Sequence, residues 1–149
     1  MRVMGLDVGT KTVGVAISDA LGFTAQGIKV VRRKNLRSDL GELKRLAREF
    51  EVTRAVVGLP LNMDGSEGPR AQASREFAAQ LEQALQLPVE LWDERLSTVA
   101  AERVLLEGDV SRENRKKVID QVAASIILQG WLDAHQAPAE EEPWDDELT

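Results

Sequence analysis

The chain has 149 residues, with 19 Lys and Arg against 25 Asp and Glu, and no Cys. That length suits one domain with a single substantial core. The lack of Cys excludes a disulfide framework and a thiolate metal site, and no run reaches the roughly 18 apolar residues needed to span a bilayer.

No charged start followed by an apolar run marks a secretory leader, so a protein of the reducing cytoplasm with no membrane partner is the expectation. The net charge of −6 is unevenly placed: Glu140, Glu141, Glu142, Asp145, Asp146 and Glu147 all lie in "EEEPWDDELT", a composition too polar to stay ordered. Without those six, 19 acids face 19 bases. The expected organisation is one domain over residues 1–137 and an acidic, disordered tail over 138–149.

In chain order, residues 2–8 (β1) and 13–18 (β2) are apolar runs rich in Val, Ile and Gly joined by "GTKT", which suits an antiparallel hairpin with Gly9 relieving the turn. "AQGIKVVRR" (β3) follows a Gly-containing turn. From Ser38, read as an N-cap beside Asp39, the residues Leu40, Leu43, Leu46, Ala47 and Phe50 recur at helical spacing. "RAVVGLP" (β4) is a short buried strand stopped by Pro60, and "LNMDGSEG" is a loop. Residues 70–86 form a second amphipathic helix, "PVELWDE" (β5) a strand and 95–107 a third helix. The longest helix runs from Ser111 to about Ala134, with Val118, Val122 and Ile126 on one stripe. A meander followed by βαβ units predicts a mixed five-stranded sheet flanked by helices.

Three carboxylates stand out. Asp7 interrupts an apolar strand, where its ordinary use would be to cap the amides of Gly9 and Thr10. Asp93 and Glu94 close the last strand, where ligand sites of α/β sheets gather. Adjacent strand residues face opposite sides, so alternation groups Asp93 with Val89 and Leu91 and Glu94 with Glu90 and Trp92, and the choice between them stays open. The ordinary alternative is a cap for the helix starting near Ser97, with Arg95 as ion-pair partner. Asp120 heads an apolar stripe of Ala123 or Ala124, Ile127 and Trp131, unless it pairs with Lys116 one turn earlier. Small Ala123 and Ala124 would let this helix approach the sheet closely. Three such acids repel one another unless a cation lies between them. All-oxygen ligation suits Mg²⁺ or Mn²⁺, the usual apparatus for phosphodiester displacement. Bases to meet phosphates stand at "RENRKK" (Arg112, Arg115, Lys116, Lys117) and at "VRRKNLR" (31–37).

The motifs "GLDVGTKTVGVAIS", "VVGLPLNMDGSEGPRA", "WDERLSTVAAE" and "KKVIDQVAASIIL", in this order and spacing over residues 2–134, resemble the YqgF/RuvX family of pre-16S rRNA nucleases and Holliday-junction-resolvase-like proteins. The resemblance implies a ribonuclease-H-like fold, its sheet antiparallel through β1-β2-β3 and parallel through β1-β4-β5. It implies a catalytic set of Asp7, Asp93 or Glu94, and Asp120, with Asp7, Glu94 and Asp120 binding Mg²⁺ or Mn²⁺. It also implies endonuclease action on structured RNA, maturing the 5′ end of 16S rRNA in ribosomal precursor particles, with branched DNA as a second substrate. The substrate-facing set is Lys11, Asn62, Asp64, Arg95, Arg112, Arg115, Lys116 and Lys117, although the loop holding Asn62 and Asp64 could simply connect strand to helix. Junction cleavage would need two sites about a two-fold axis, hence a homodimer. A non-catalytic RNA-binding assembly factor is the alternative from another class. An actin-like phosphate loop at "DVGTKTVG" would need two lobes, and 149 residues supply one.

Overall fold

A computed structural model describes residues 1–96 and 112–135, the side chains of 112–120 excepted. The elements are β1 (Arg2–Val8), β2 (Thr12–Ser18), β3 (Ala25–Arg32), α1 (Leu36–Glu49), β4 (Val52–Leu59), α2 (Pro69–Leu85), β5 (Val89–Asp93), a 3₁₀ turn (Glu94–Leu96) and α3 (Arg112–His135). The sheet order is β3-β2-β1-β4-β5. β1 pairs antiparallel with β2, and β2 with β3, while β1-β4 and β4-β5 are parallel. This is the mixed sheet that a meander followed by crossovers requires. Except for the 3₁₀ turn, the helix expected over 95–107 lies outside the described residues, as does the 138–149 tail. Among the described residues no helix is long and apolar enough to cross a membrane.

Strand alternation divides the core into two layers. Met4, Leu6, Val8, Val13, Val15, Ala55 and Val57 pack with Leu43, Leu46, Phe77 and Leu81 of α1 and α2. Val3, Ala16 and Val56 face Ala123, Ala124, Ile127, Leu128 and Trp131 of α3. The α3 face is the thinner layer. A Cβ built on Gly5 would lie 2.6 Å from Leu128 Cβ and 3.1 Å from the Ala124 carbonyl oxygen, so glycine in β1 and alanine in α3 together allow backbone to meet backbone. α3 is also tied to the start of β3, because Gln129 accepts the Ala25 N–H at 2.9 Å and donates to the Phe23 carbonyl at 2.9 Å.

One local expectation is corrected. The N-cap of α1 is Asn35, not Ser38: its side chain accepts the Ser38 N–H at 2.8 Å. Asp39, buried at 2% exposure, instead accepts from Lys34 N–H (3.0 Å) and Arg33 Nε (3.2 Å). The first turn therefore begins where an amide side-chain oxygen can reach forward three residues to accept a free helical N–H. In the hairpin, Gly9 relieves the turn by close approach and not by a left-handed conformation, since a Cβ there would lie 3.1 Å from the Thr12 carbonyl oxygen. The turn closes through Gly9 N–H to the Thr12 carbonyl at 2.8 Å.

Candidate active site

Asp7 sits one residue from the carboxyl end of β1, opposite Gly14 of β2, and is 4% exposed. Because Leu6 and Val8 belong to the α1/α2 layer, alternation turns Asp7 toward α3. Its burial in a strand distinguishes it from a turn carboxylate, and the Gly9 amide that such a carboxylate would cap goes to the Thr12 carbonyl. An ionised carboxylate held this far from water persists only where donors or a cation face it.

Parallel pairing brings the ends of β4 and β5 beside this position. Leu6 pairs with Val57, Gly58 with Trp92 and Leu59 with Asp93, so continuing the register sets Asp7 beside Gly58. A Cβ on Gly58 would stand 2.8 Å from Glu94 Oε2 and 2.5 Å from Ile127 Cδ1. The Glu94 carboxylate thus lies over Gly58, on the α3 face, on the same side of the sheet as Asp7. Two strand spacings across and two residues along, about 12 Å of backbone, separate the two acids, and the missing side chain at Gly58 makes room there for the Glu94 carboxylate and the Ile127 Cδ1 methyl. Asp93 takes the other direction. It accepts from Arg95 N–H (2.9 Å), Nε (3.1 and 3.2 Å) and Nη2 (2.8 Å), and these bonds hold its carboxyl below the usual carboxylate range. Of the two acids left open by sequence, Glu94 shares a face with Asp7.

The backbone of Asp120 belongs to α3, one turn before Ala123 and Ala124, which rest on the sheet. Its side chain, with those of Arg112, Arg115, Lys116 and Lys117, lies outside the described residues. Among the described residues no group of three His, Cys, Asp or Glu side chains is assembled. The donor chemistry of Asp7 and Glu94 is all oxygen, which fits Mg²⁺ or Mn²⁺.

The β4–α2 loop is an internally bonded turn. Asp64 accepts both the N–H (2.9 Å) and the hydroxyl (2.6 Å) of Ser66, which hold its carboxyl low, and Asn62 Nδ2 donates to Ser66 Oγ at 2.9 Å. Both residues are exposed. Arg95 joins this loop to β5, since Nη1 donates to the Met63 carbonyl at 3.3 Å while the rest of the guanidinium holds Asp93. Lys11 is exposed at the hairpin tip.

Gly58 was not picked out from sequence, although a glycine inside the strand pattern "RAVVGLP" is a sign of close approach. Two braces were also missed. Arg33 Nη1 donates to the Gly9 carbonyl at 2.8 Å, and Arg70 Nη2 to the Val8 carbonyl at 3.3 Å, fixing the chain just after Asp7. No local pattern announces either, because the partners are 24 and 62 residues apart.

A family model described as "RuvX: Holliday junction resolvase" matches residues 1–134. A Myxococcus xanthus protein named "Putative pre-16S rRNA nuclease" is 70% identical over 138 residues, covering 93% of this chain and 91% of that one. A Moorella thermoacetica protein of the same name is 62% identical over 133 residues, covering 89% and 95%. Among solved structures, Thermus thermophilus RuvC in complex with a Holliday junction substrate matches with a TM-score of 0.58 at 11% identity, over 92% of this chain and 98% of that one. The fowlpox virus Holliday junction resolvase matches with a TM-score of 0.52 at 14% identity, over 90% and 99%. At such identities these two share the fold with this chain.

Proposed function

The chain belongs to the RuvX family, and from that premise we propose that it is a divalent-metal-dependent endonuclease acting on structured nucleic acid. Its substrate in this reading is precursor 16S rRNA within ribosomal precursor particles in the cytoplasm, trimmed at the 5′ end. The observation that carries the reading is the shared face of Asp7 and Glu94 across Gly58, beneath the helix that bears Asp120. Those three residues would hold Mg²⁺ or Mn²⁺, which when bound activates water and stabilises the leaving oxygen.

The protein's own groups divide the remaining work. β1 mounts Asp7 rigidly between two neighbouring strands, and Arg33 and Arg70 keep its following turn fixed. Glu94 reaches inward because Gly58 leaves it room. Lys11, Arg112, Arg115, Lys116 and Lys117 meet phosphates, and Asn62 and Asp64 present the β4–α2 loop to the substrate. Arg95 keeps that loop joined to β5, and Asp93 serves the site through Arg95. Residues 1–137 constitute the nuclease domain and 138–149 an acidic appendage.

The test is cleavage of precursor 16S rRNA and of a four-way DNA junction side by side, with Mg²⁺ or Mn²⁺ and with EDTA. Cleavage that needs metal and vanishes in Asp7→Asn, Glu94→Gln and Asp120→Asn supports the reading. Equal cleavage in Asp7→Asn defeats it. The family's description as a Holliday junction resolvase favours a second reading, in which the junction is cut better than the RNA by a homodimer. Rescue of a deletion strain by Asp120→Asn would instead mark a non-catalytic RNA-binding assembly factor.

A further inference from the structure

Residues 9–37 contain six bases, Lys11, Lys29, Arg32, Arg33, Lys34 and Arg37, and one acid, Asp19. The acids that could balance them from α1 are already committed. Buried Asp39 is paired with Arg33, and Glu42 with both Lys29 and Arg45. Among the described residues, Lys11, Arg32, Lys34 and Arg37 have no carboxylate within ion-pair distance, and all four are exposed. By contrast Arg45, Arg54, Arg75 and Arg95 are each paired.

These four cations are neighbours in space. Arg32 pairs with Thr12 across the β2–β3 ladder, and Arg33 N–H donates to the Lys11 carbonyl at 2.8 Å. Lys34 follows directly, and Arg37 stands in the first turn of α1. That position carries a cost, since a cation is disfavoured beside the positive end of a helix dipole. A shallow concavity between β3 and α1 is lined by Lys29, Arg32, Lys34 and Ser38 together with Asp39 and Glu42, the two acids already paired. A cluster that repels itself and, at Arg37, opposes a helix dipole is an electrostatic cost to folding that an anionic partner would offset.

One member of the group, Arg32, is oriented toward the site. Asp7, Gly14 and Val30 form one row across three strands, and Arg32, two residues beyond Val30, points to the same face of the sheet. Two strand spacings across and two residues along put Arg32 about 12 Å from Asp7. On a duplex with 3.4 Å per nucleotide of each strand, this is about three to four nucleotides from a bond held at Asp7.

We propose that Lys11, Arg32, Lys34 and Arg37 form a phosphate-binding rim that grips the backbone of the nucleic-acid arm flanking the cleaved bond. The proposal rests on the nuclease reading, which places the cut at Asp7. It assigns affinity, not chemistry, to the rim.

The test compares Arg32→Ala/Lys34→Ala/Arg37→Ala with wild type on a precursor RNA hairpin and on a four-way DNA junction. Binding is measured with Ca²⁺ replacing the active metal, from 50 to 300 mM salt. The slope of log K against log[salt] should fall by about 2 to 3 in magnitude, roughly 0.7 to 0.9 per lost contact. KM should rise at least tenfold with kcat at saturation within twofold of wild type, and the melting temperature at low salt should be unchanged or higher. The two substrates separate RNA from DNA as the source of the phosphates. An unchanged slope and KM would overturn the proposal. So would loss of poly-glutamate binding alone, which would assign the rim to an acidic polypeptide. Asp7→Asn, run in parallel, keeps the two readings apart. Cleavage lost there with the salt slope intact supports the nuclease, and a reduced slope in the triple variant supports the rim even if no cleavage is found.

Discussion

Gly58→Ala and Gly5→Ala place the same methyl group into the same interface, and the atoms each would meet predict opposite outcomes. At Gly5 the new Cβ lies 2.6 Å from Leu128 Cβ, 3.1 Å from the Ala124 carbonyl oxygen and 3.3 Å from Leu128 Cα. These are parts of α3 that no side-chain rotation can move, so the helix itself must lift. Overpacking of this kind costs about 1–3 kcal/mol, and the upper half applies here. The gain from restricting the unfolded chain, about 0.4–1 kcal/mol, leaves a net loss near 2 kcal/mol. That corresponds to a melting temperature lower by about 4–8 °C. At Gly58 the nearest atoms are Ile127 Cδ1 at 2.5 Å and Glu94 Oε2 at 2.8 Å, both at the ends of flexible side chains. Rotation relieves the clash, and the net stability change should stay within about 1 kcal/mol. The rotation, however, carries the Glu94 carboxylate away from Asp7. Cleavage and Mn²⁺ affinity should therefore fall about 10- to 100-fold, as for loss of a group that orients a metal ligand. Thermal melts, calorimetric Mn²⁺ titration and cleavage rates on both variants make the test. If Gly58→Ala melts like wild type and also binds and cleaves like wild type, Glu94 has no part in the site.

Other perturbations read separate pieces of the structure. Asp39→Ala leaves Arg33 and the Lys34 amide without their buried acceptor and should cost about 2–3 kcal/mol in urea unfolding. Lowering the pH should weaken the β3–α1 contact. Hydrogen bonds from Arg45 and then Lys29 hold the Glu42 carboxyl at about 2 instead of 4.5, so its contribution is complete above pH 4.5 and disappears as pH falls toward 2. The partners are largely exposed, so the effect should stay under about 1 kcal/mol, and Glu42→Gln should flatten that part of the pH–stability curve. Arg95→Ala should raise amide exchange across residues 61–67 while changing global stability by less than about 1 kcal/mol, because it cuts the link from Asp93 to the Met63 carbonyl. Removing residues 138–149 should tighten RNA binding, most at low salt; unchanged affinity would exclude competition between the acidic segment and the basic rim.

The strands and the helices α1, α2 and α3 were legible in the sequence because apolar period and turn residues are local signals, whereas the strand order came with the family resemblance. β1, β3, α2 and α3 were expected within about one residue of their observed limits. Asn35 was missed as the cap of α1 because Ser38 and Asp39 look equally suitable, and only the buried pair with Arg33 shows that Asp39 is occupied elsewhere. The candidate acids were visible one by one as charges in apolar company. Which of Asp93 and Glu94 shares the Asp7 face was not, because that choice depends on where β5 ends and on Arg95 drawing Asp93 aside. The braces from Arg33 and Arg70, and the Trp131 Nε1–H bond to Glu90 at 2.8 Å, join residues distant in sequence. Such contacts leave no periodic trace.

The mixed pairing of the sheet has a consequence for the order in which the molecule becomes competent. β1, β2 and β3 join neighbour to neighbour and can form from contacts close in sequence, whereas β4 and β5 add only through helical crossovers. Asp7 belongs to the first group and Glu94 to the second, 87 residues later, with Asp120 later still. A nascent chain that has completed its meander therefore holds one of the three acids and lacks the others. The proposed site is shared between the earliest and latest parts of the fold, so cutting ability would arrive together with the finished core and be lost as soon as α3 lifts.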